Sequence, residues 1–290
     1  MNKKYLITGL LVVIIGIIGI AIVLANENAL VVHPKGIIAK SILELIATNI
    51  LLMLIIIVPT YIFLFSVVWK YCIKKEGIKY DPNHSYGKTG ELLMWGLPSI
   101  IVVVMAIITW NFTHKLNPYK PLESNIKPLI VQVVALNWKW LFIYPEQGIA
   151  TLNDLHIPEQ TPIHFKLTAD NSPMNSFWIP QLSGQIYSMT GMTTQLHLMA
   201  DGPGEYTGRA VEINGEGYAG MTFPAKSISH KDFDEWINQV KKSPHHLTEN
   251  DYKELAKPFI NRSVIYFSEV EQDLFQKIIQ KYMYPTTPVL

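Results

Sequence analysis

Long runs of apolar residues dominate the N-terminal part of the chain. They cover residues 5–25, 42–69 and 92–112. Each run has roughly the twenty apolar residues that an α-helix needs to cross the hydrocarbon core of a bilayer. The pattern therefore predicts transmembrane helices over residues 42–69 and 92–112, and a further membrane-type segment within residues 1–25.

The segment formed by residues 1–25 has two interpretations. Lys3 and Lys4 precede its apolar run, and residues 23–25, Val-Leu-Ala, could form a small-residue cleavage site at its end, as in a signal peptide. The run is also long for a signal peptide and long enough to span a membrane. Its length favours an uncleaved or inefficiently cleaved helix, but the sequence leaves the question of cleavage open.

A lysine-rich stretch, residues 70–91, separates the second and third runs. Its lysines are Lys70, Lys74, Lys75, Lys79 and Lys88. Because positively charged loops stay on the cytoplasmic side, we expect this loop in the cytoplasm and both outer ends of the helical hairpin outside it. Everything after His114 then lies beyond the outer face of the membrane. The single cysteine, Cys72, falls in this loop, which excludes an internal disulfide and any two-thiolate metal site.

Short segments of alternating polarity follow a linker at residues 117–121. Around Phe165 and around Leu198, apolar and polar residues alternate, as they do in half-buried strands. Short strands at this spacing predict a β-sandwich or β-barrel over residues 127–225. The alternation alone does not choose between these two architectures.

The spacing of apolar residues becomes helical in the last part of the chain. Between Phe233 and Val240 apolar residues recur at intervals of three and four, and Ser229 with Asp232 resembles a capping box. The pattern therefore predicts a helical C-terminal extension over residues 228–290.

Composition and isolated polar residues narrow the possible functions. With 49% hydrophobic and 16% charged residues, the chain is too apolar for a wholly soluble protein, and a net charge of +1 does not indicate nucleic-acid binding. Glu44, near the second apolar run, is expected to have a structural role at the membrane interface. Three histidines of the predicted barrel lack any metal-binding spacing and are expected to be packing or surface residues: His156, His164 and His197. Three carboxylates lie in turn-like contexts that predict local Asx hydrogen bonds: Asp154, Asp170 and Asp201.

The glycine-rich loop at residues 209–221 has the most specific pattern in the chain. It resembles the loop of subunit II of the haem-copper respiratory oxidases that reads Cys-x-Glu-x-Cys-Gly-x-x-His-x-x-Met and binds two coppers between strands of a cupredoxin β-barrel. Glu212, Gly215 and Met221 match that frame. The four positions that correspond to strong copper ligands are occupied here by Asn175, Ala210, Asn214 and Tyr218. The loop by itself also fits an ordinary hairpin connection.

The replaced ligands indicate one branch of that family. Copper centres of this kind need thiolate and imidazole donors, and alanine, neutral amides and a phenol are poor substitutes. Residues 174–177 and 185–192 closely resemble the cytochrome bo-type ubiquinol oxidase subunit II, the quinol-oxidising branch. The resemblance implies that this chain has no metal, no cofactor and no catalytic residue. Many relatives have a lipid-attachment cysteine where this chain has Ala25, Asn26 and Glu27, so that anchor is not expected.

The resemblance also implies an architecture and a function. The fold would be a membrane-anchored all-β protein, with N-terminal transmembrane helices, a cupredoxin-like β-barrel and a short helical C-terminal tail. The complex would oxidise ubiquinol, reduce oxygen to water and move protons across the bacterial cytoplasmic (inner) membrane, with the barrel on the periplasmic face. Subunit I would hold the haems and the copper, and subunits III and IV would be further membrane partners. Alternatives are a menaquinol or cytochrome c oxidase subunit and a membrane-tethered cupredoxin-like binding or assembly module.

Two expectations concern side chains near the loop. Protein interiors are densely filled, so we expect Tyr218 to occupy part of the volume that a metal and its ligands would need. Buried amides are rarely left unbonded, so Asn175 and Asn214 should hydrogen-bond each other or backbone groups.

Residues 138–140, Trp-Lys-Trp, match an aromatic patch that receives electrons in copper-bearing relatives. Without copper, core packing together with a partner contact is the favoured interpretation of this patch.

Overall fold

The computed structural model describes most of the chain as two compact units. One unit is Ser41–Asn117, and the other comprises Met1–Lys40 and Pro118–Leu290. The described residues are 16, 19, 21–22, 24–26, 29–70, 87–172, 174–260 and 263–283. Most of the predicted segment 1–25 lies outside the described residues, as does most of the lysine-rich loop with Cys72.

Two long helices account for the second and third apolar runs. They are α1, Ile37–Val68, and α2, Gly87–Lys115, and both are long and apolar enough to cross a membrane. α1 begins before residue 42, and α2 extends beyond residues 92–112 at both ends. Residues 87–91, predicted as loop, are therefore helical. Helical hydrogen bonding continues into the polar flanks of an apolar run, and a hydropathy pattern does not register those flanks.

Hydroxyl groups within these helices bond to the helices' own backbone. Thr60, Ser66 and Ser99 each donate to the carbonyl oxygen four residues earlier, at 2.7, 2.6 and 2.7 Å. Internal partners of this kind are what a helix in lipid requires of its polar groups. Glu44 lies on an exposed part of α1.

Ten strands form a two-sheet barrel after the helices. They are β1 Leu129–Leu136, β2 Lys139–Tyr144, β3 Ile149–Leu152, β4 Leu155–Pro158, β5 Ile163–Ala169, β6 Met174–Trp178, β7 Ile186–Met189, β8 Thr194–Leu198, β9 Gly204–Ala210 and β10 Thr222–Ile228. One sheet contains β3-β2-β1-β5-β8 in that order, and the other contains β4-β10-β9-β6-β7. The β1–β5 and β4–β10 pairs are parallel, and the other pairs are antiparallel. This mixed two-sheet arrangement is the predicted cupredoxin-like fold.

Aromatic rings fill the space between the two sheets. Phe177 of β6 lies against Trp140 of β2 and Phe223 of β10, with ring centroids 5.3 and 5.4 Å apart. Phe165, one of the alternating residues of β5, is fully buried in the same cluster. The period-two alternation therefore identified inward-facing positions, because successive side chains of a strand point to opposite faces.

From Leu247 onward the C-terminal extension packs on the outer face of the first sheet, whereas Phe233, Trp236 and Val240 pack against the barrel core. Its helices are α3 His230–Val240, α4 Glu249–Leu255 and α5 Leu274–Met283. Apolar residues of the tail form a second buried cluster with outward-facing residues of β1, β2 and β3. This cover explains why every residue of β2 is buried.

The extension is mainly helical, as predicted, but it also contains three short strands. They are β11 His246–Leu247, β12 Ile265–Phe267 and β13 Glu269–Val270. β12 pairs antiparallel with β3 and adds a sixth strand to the first sheet. Three β-branched or aromatic residues suit that position, since the edge of β3 otherwise presents unpaired backbone groups. Ile228, placed in the extension by the sequence pattern, instead ends β10.

The segment that leads into α1 is bonded to the barrel. Lys35 donates its N–H to the Gln181 carbonyl at 2.7 Å and accepts from the Asp201 N–H at 2.9 Å. Gly36 forms a β-bridge with Ala200, and a Cβ at this glycine would lie 2.7 and 2.9 Å from two backbone carbonyl oxygens. Only glycine at position 36 fits this close approach of two backbones. Asp201, predicted to make a local turn bond, forms an ion pair with Lys40 at 2.7 Å.

Candidate functional site

The loop between β9 and β10 lies beside the β6 strand of the same sheet. Phe177 pairs with Ala210 across the two strands, so Asn175 and Ala210 lie on neighbouring strands. The loop closes on itself where the Ala210 N–H donates to the Met221 carbonyl at 3.0 Å. Asn214 lies between these two points of the loop. The four positions of the copper pattern thus come from one strand, one strand end and one loop.

Asn175 and Asn214 are hydrogen-bonded to each other, which confirms the expected pairing. The Asn214 amide nitrogen donates to Asn175 Oδ1 and lies 3.3 Å from Met221 Sδ. Asn175, which is fully buried, donates through Nδ2 to Ser172 Oγ at 2.7 Å. Three positions of the metal-loop pattern therefore form one polar network whose members bond to each other.

Tyr218 lies at the start of a short 3-10 turn, Tyr218–Gly220. Its ring packs against the barrel core, and its hydroxyl donates to the Val211 carbonyl at 3.3 Å. Ala210 is buried and presents only a methyl group. The phenol ring thus packs on the core next to the loop, and its filling of the volume that a metal would need stays a prediction.

Trp138 holds the outer part of the loop. Its indole Nε1 donates to the Asn214 carbonyl at 3.3 Å. A Cβ at Gly217 would lie 2.3 Å from Trp138 Cγ, so the ring covers this glycine directly. Gly215, with φ of 116°, adopts a conformation that favours glycine. Of the matched frame residues, Gly215 and Met221 thus have evident structural roles, and Glu212 is half-buried on the same loop.

The other two residues of the Trp-Lys-Trp sequence face different surroundings. Trp140 lies in the core between the sheets, which fits the packing interpretation. Lys139 is buried under the C-terminal extension, where Nζ donates to the Lys257 carbonyl at 2.8 Å and lies 3.4 Å from the centre of the Phe259 ring. Burial lowers the pKa of the Lys139 ammonium to about 8.

The side chains around this network do not fit a two-copper centre. Ala210 has no donor atom, and Asn175 Oδ1 and the Asn214 amide nitrogen are already paired. Met221 Sδ is the one soft atom of the network and accepts from Asn214. Thiolate and imidazole ligands, which such a centre needs, are replaced at each position. Within the described ranges there is also no group of three or more His, Cys, Asp or Glu residues placed to hold a metal ion.

Two buried carboxylates have roles that the sequence did not indicate. Asp154 accepts from Tyr266 at 2.8 Å and lies 3.2 Å from His156 Nδ1. Burial alone would raise the pKa of Asp154, but the hydrogen bond and charge of His156, with help from Tyr266 and Lys226, lower it. Asp170 is fully buried against α4 and α5. The expectation of local Asx bonds is wrong for both: the Asp170 carboxylate bonds to side chains of the distant tail, and the Asp154 carboxylate faces the side chains of His156, Lys226 and the tail residue Tyr266.

The barrel histidines are packed, as expected, and none is fully exposed. His156 stacks on Trp236 with ring centroids 4.5 Å apart, and His164 stacks on His197 at 4.3 Å. Burial, followed by the charge of His197, lowers the pKa of His164. His197 Nδ1 lies 2.9 Å from the Pro118 carbonyl.

Comparisons with known proteins agree with the sequence resemblance. Residues 241–286 match the model of the COX Aromatic Rich Motif. The chain is 44% identical to the cytochrome bo(3) ubiquinol oxidase subunit 2 of Pseudomonas putida over 263 residues, which cover 90% of this chain and 83% of the relative. It is 45% identical to the ubiquinol oxidase subunit 2 of Acetobacter aceti over 264 residues, covering 90% and 85%.

One solved structure with a similar outline is the periplasmic domain of subunit II of the cytochrome oxidase of Bradyrhizobium japonicum. It covers 42% of this chain and 98% of that domain, at 19% identity and a TM-score of 0.39. The relatives' designation as subunit 2 implies a complex with other subunits, and the two long apolar helices are those of a membrane-anchored protein. With relatives this similar over most of its length, the chain belongs to the family of cytochrome bo-type ubiquinol oxidase subunit 2 proteins.

Proposed function

We propose that this chain is subunit II of a proton-pumping terminal oxidase that oxidises ubiquinol and reduces oxygen to water in aerobic respiration. Support comes from relatives named as ubiquinol oxidase subunit 2 whose similarity spans 90% of the chain. The match of the C-terminal tail to an aromatic-rich oxidase motif supports the same family.

We infer further that the chain itself transfers no electrons. The observation behind this inference is the Asn175–Asn214–Met221 network at the positions that match the copper loop. The four matching positions offer amides, a methyl group and a phenol in place of the thiolates and imidazoles that such a metal centre needs. Electrons would then pass from quinol to oxygen entirely within partner subunits, with the haems, the copper and the quinol site in subunit I.

The membrane orientation is part of the same proposal. Residues 42–69 and 92–112 would anchor the subunit in the bacterial cytoplasmic membrane beside subunit I and the smaller subunits III and IV. The lysines of residues 70–91 favour a cytoplasmic position for that loop. The barrel, residues 127–225, and the extension, residues 228–290, would then lie on the periplasmic face.

The test is to purify the detergent-solubilised complex through a tag on this chain. We expect haem absorption bands, several co-purifying membrane subunits and oxygen consumption with a short-chain ubiquinol. Reduced cytochrome c should not support oxygen consumption, and a menaquinol analogue compared at the same concentration would identify the preferred quinol.

Each alternative gives a different result in the same preparation. Oxygen consumption with cytochrome c and two coppers bound to this chain would contradict both the quinol oxidase assignment and the redox-silent role. A preparation without haem or oxidase subunits would instead support a membrane-tethered binding or assembly module.

A further inference from the structure

The tail of the chain converges on one buried carboxylate. Asp170, at the end of β5, is fully buried and accepts from three side chains of the C-terminal extension. The Tyr252 hydroxyl of α4 donates to Oδ2 at 2.6 Å, and the Tyr282 hydroxyl and Lys281 ammonium of α5 donate to Oδ1 at 2.5 and 2.8 Å. A buried carboxylate without such donors would be strongly destabilising. The tail and this carboxylate therefore depend on each other.

The next residue, Asn171, is held by the same tail. It has a left-handed conformation, with φ of 53°, and its N–H donates to the Tyr282 hydroxyl at 2.9 Å. Its side-chain amide donates to the Ala256 carbonyl at 3.3 Å, and its own carbonyl accepts from Asn137 Nδ2 at 2.7 Å. The short turn 170–172 is thus fixed by two segments of the tail and by the β1–β2 turn.

The turn continues the hydrogen-bonded network into the β9–β10 loop. Ser172 accepts from Asn175 at 2.7 Å, and Asn175 in turn accepts from Asn214 on the loop. In a copper-bearing relative, the resemblance implies that the metal itself would join the β6 strand to this loop. Here polar side chains make that connection, and the tail secures its far end.

Burial and charge keep the two tyrosines as hydrogen-bond donors. Burial, followed by the negative charge of Asp170, raises the pKa of Tyr252. Burial, followed by the hydrogen bond to Asp170, also raises the pKa of Tyr282. For Lys281, burial lowers the pKa but the bond and charge of Asp170 outweigh it and raise the pKa. All three donors therefore stay protonated through the neutral range.

We propose that the aromatic-rich tail is a positioning clamp: Tyr252, Lys281 and Tyr282 fix the turn 170–172 through Asp170 and so hold Asn175 and the β9–β10 loop in place. The clamp would replace, by side-chain hydrogen bonds, the connection that a metal makes in other members of the superfamily. It is a property of this chain and does not depend on which quinol the complex oxidises.

Amide hydrogen exchange on the assembled complex, read by mass spectrometry, tests the clamp directly. In Tyr282→Phe and, separately, in Tyr252→Phe, exchange in residues 211–221 should rise roughly tenfold, the factor expected for loss of about one charge-assisted hydrogen bond. Exchange in the central strand β1 should stay at the wild-type rate.

Tyr266→Phe is the matched control. It removes a tyrosine-to-carboxylate bond of the same kind from the same tail, at 2.8 Å to Asp154. Among the residues that the structure describes, the partners of the Asp154 carboxylate are Tyr266, His156 and Lys226, none of which belongs to the turn 170–172. Amide exchange in residues 211–221 of Tyr266→Phe should match the wild type. Unchanged exchange there in both Tyr252→Phe and Tyr282→Phe would overturn the clamp, and so would an equal rise in Tyr266→Phe. If Tyr282→Phe does not assemble, Tyr252→Phe decides the question alone.

Discussion

The amide of Asn214 connects the two halves of the polar network, and its removal should be measurable. In Asn214→Ala, the fully buried Asn175 Oδ1 loses its donor, and Met221 Sδ loses its contact. A buried acceptor left unpaired costs about 1–3 kcal/mol. Asn214 itself is half-buried, so water can enter its place, and we expect a loss of about 1–2 kcal/mol of unfolding free energy.

The assay is chemical denaturation of the full-length, detergent-solubilised chain, followed by tryptophan fluorescence. Trp138 is one of seven tryptophans and contributes a signal from the loop, because its indole bonds to the Asn214 backbone carbonyl, which the substitution keeps. A double-mutant cycle with Asn175→Ala separates the pair from each single effect. With both amides removed, neither is left unpaired, so the double variant should lose less stability than the sum of the single variants.

Two results would refute this reasoning. If the effects of Asn214→Ala and Asn175→Ala add, the two amides do not support each other. If either variant folds and assembles but loses ubiquinol oxidation, the network takes part in electron transfer and the chain is not redox-silent.

Three further predictions concern other parts of the barrel. Gly36→Ala should destabilise the docked N-terminal segment by about 1–3 kcal/mol, because two backbone carbonyls cannot move away from the new methyl group. Limited proteolysis should detect this loss. Gly202→Ala is the control, because its Cβ would meet only one side-chain atom, at 3.9 Å. For Lys139, the folded pKa of about 8 lies below the unfolded value of 10.5, so the unfolded state binds more protons between these values and stability should rise across that pH window. Denaturation at a series of pH values should show this rise in the wild type and lack it in Lys139→Met. Tyr218→His should reduce stability by about 1–3 kcal/mol through a partial cavity and a lost hydroxyl bond, while the assembled complex keeps ubiquinol turnover.

Local patterns in the sequence predicted much of the fold. The inward positions of β5 and the capped start of α3 follow from residues close together in the chain, since Ser229 accepts from the Asp232 N–H as its spacing suggests. The pairing of Asn175 with Asn214 was accessible only because the loop resembles a metal-binding pattern. Without that resemblance, two asparagines 39 residues apart give no signal of contact.

Apart from the helix ends, the missed features depend on long-range partners. The bonds of Tyr252 to Asp170 and of Tyr266 to Asp154 join residues 82 and 112 positions apart. Strand β12 has three residues and exists because the edge of β3 accepts it. The abundance of tyrosine, tryptophan and phenylalanine after residue 230 was the available hint. It shows that the tail packs against something, but not which carboxylates it reaches.

The attachment of Lys35 and Gly36 to the barrel has a consequence for how the chain passes through the bilayer. A polypeptide that leaves a folded body and later rejoins it must cross any intervening membrane an even number of times. The two helices α1 and α2 give an even number of possible crossings, and this argument is independent of the positions of the lysines. The Gln181–His33 bond also closes a separation of 148 residues, an entropically unfavourable loop for a free chain. If the hairpin inserts as proposed, both of its ends would emerge on one side, and the loop that remains to be closed would be much shorter.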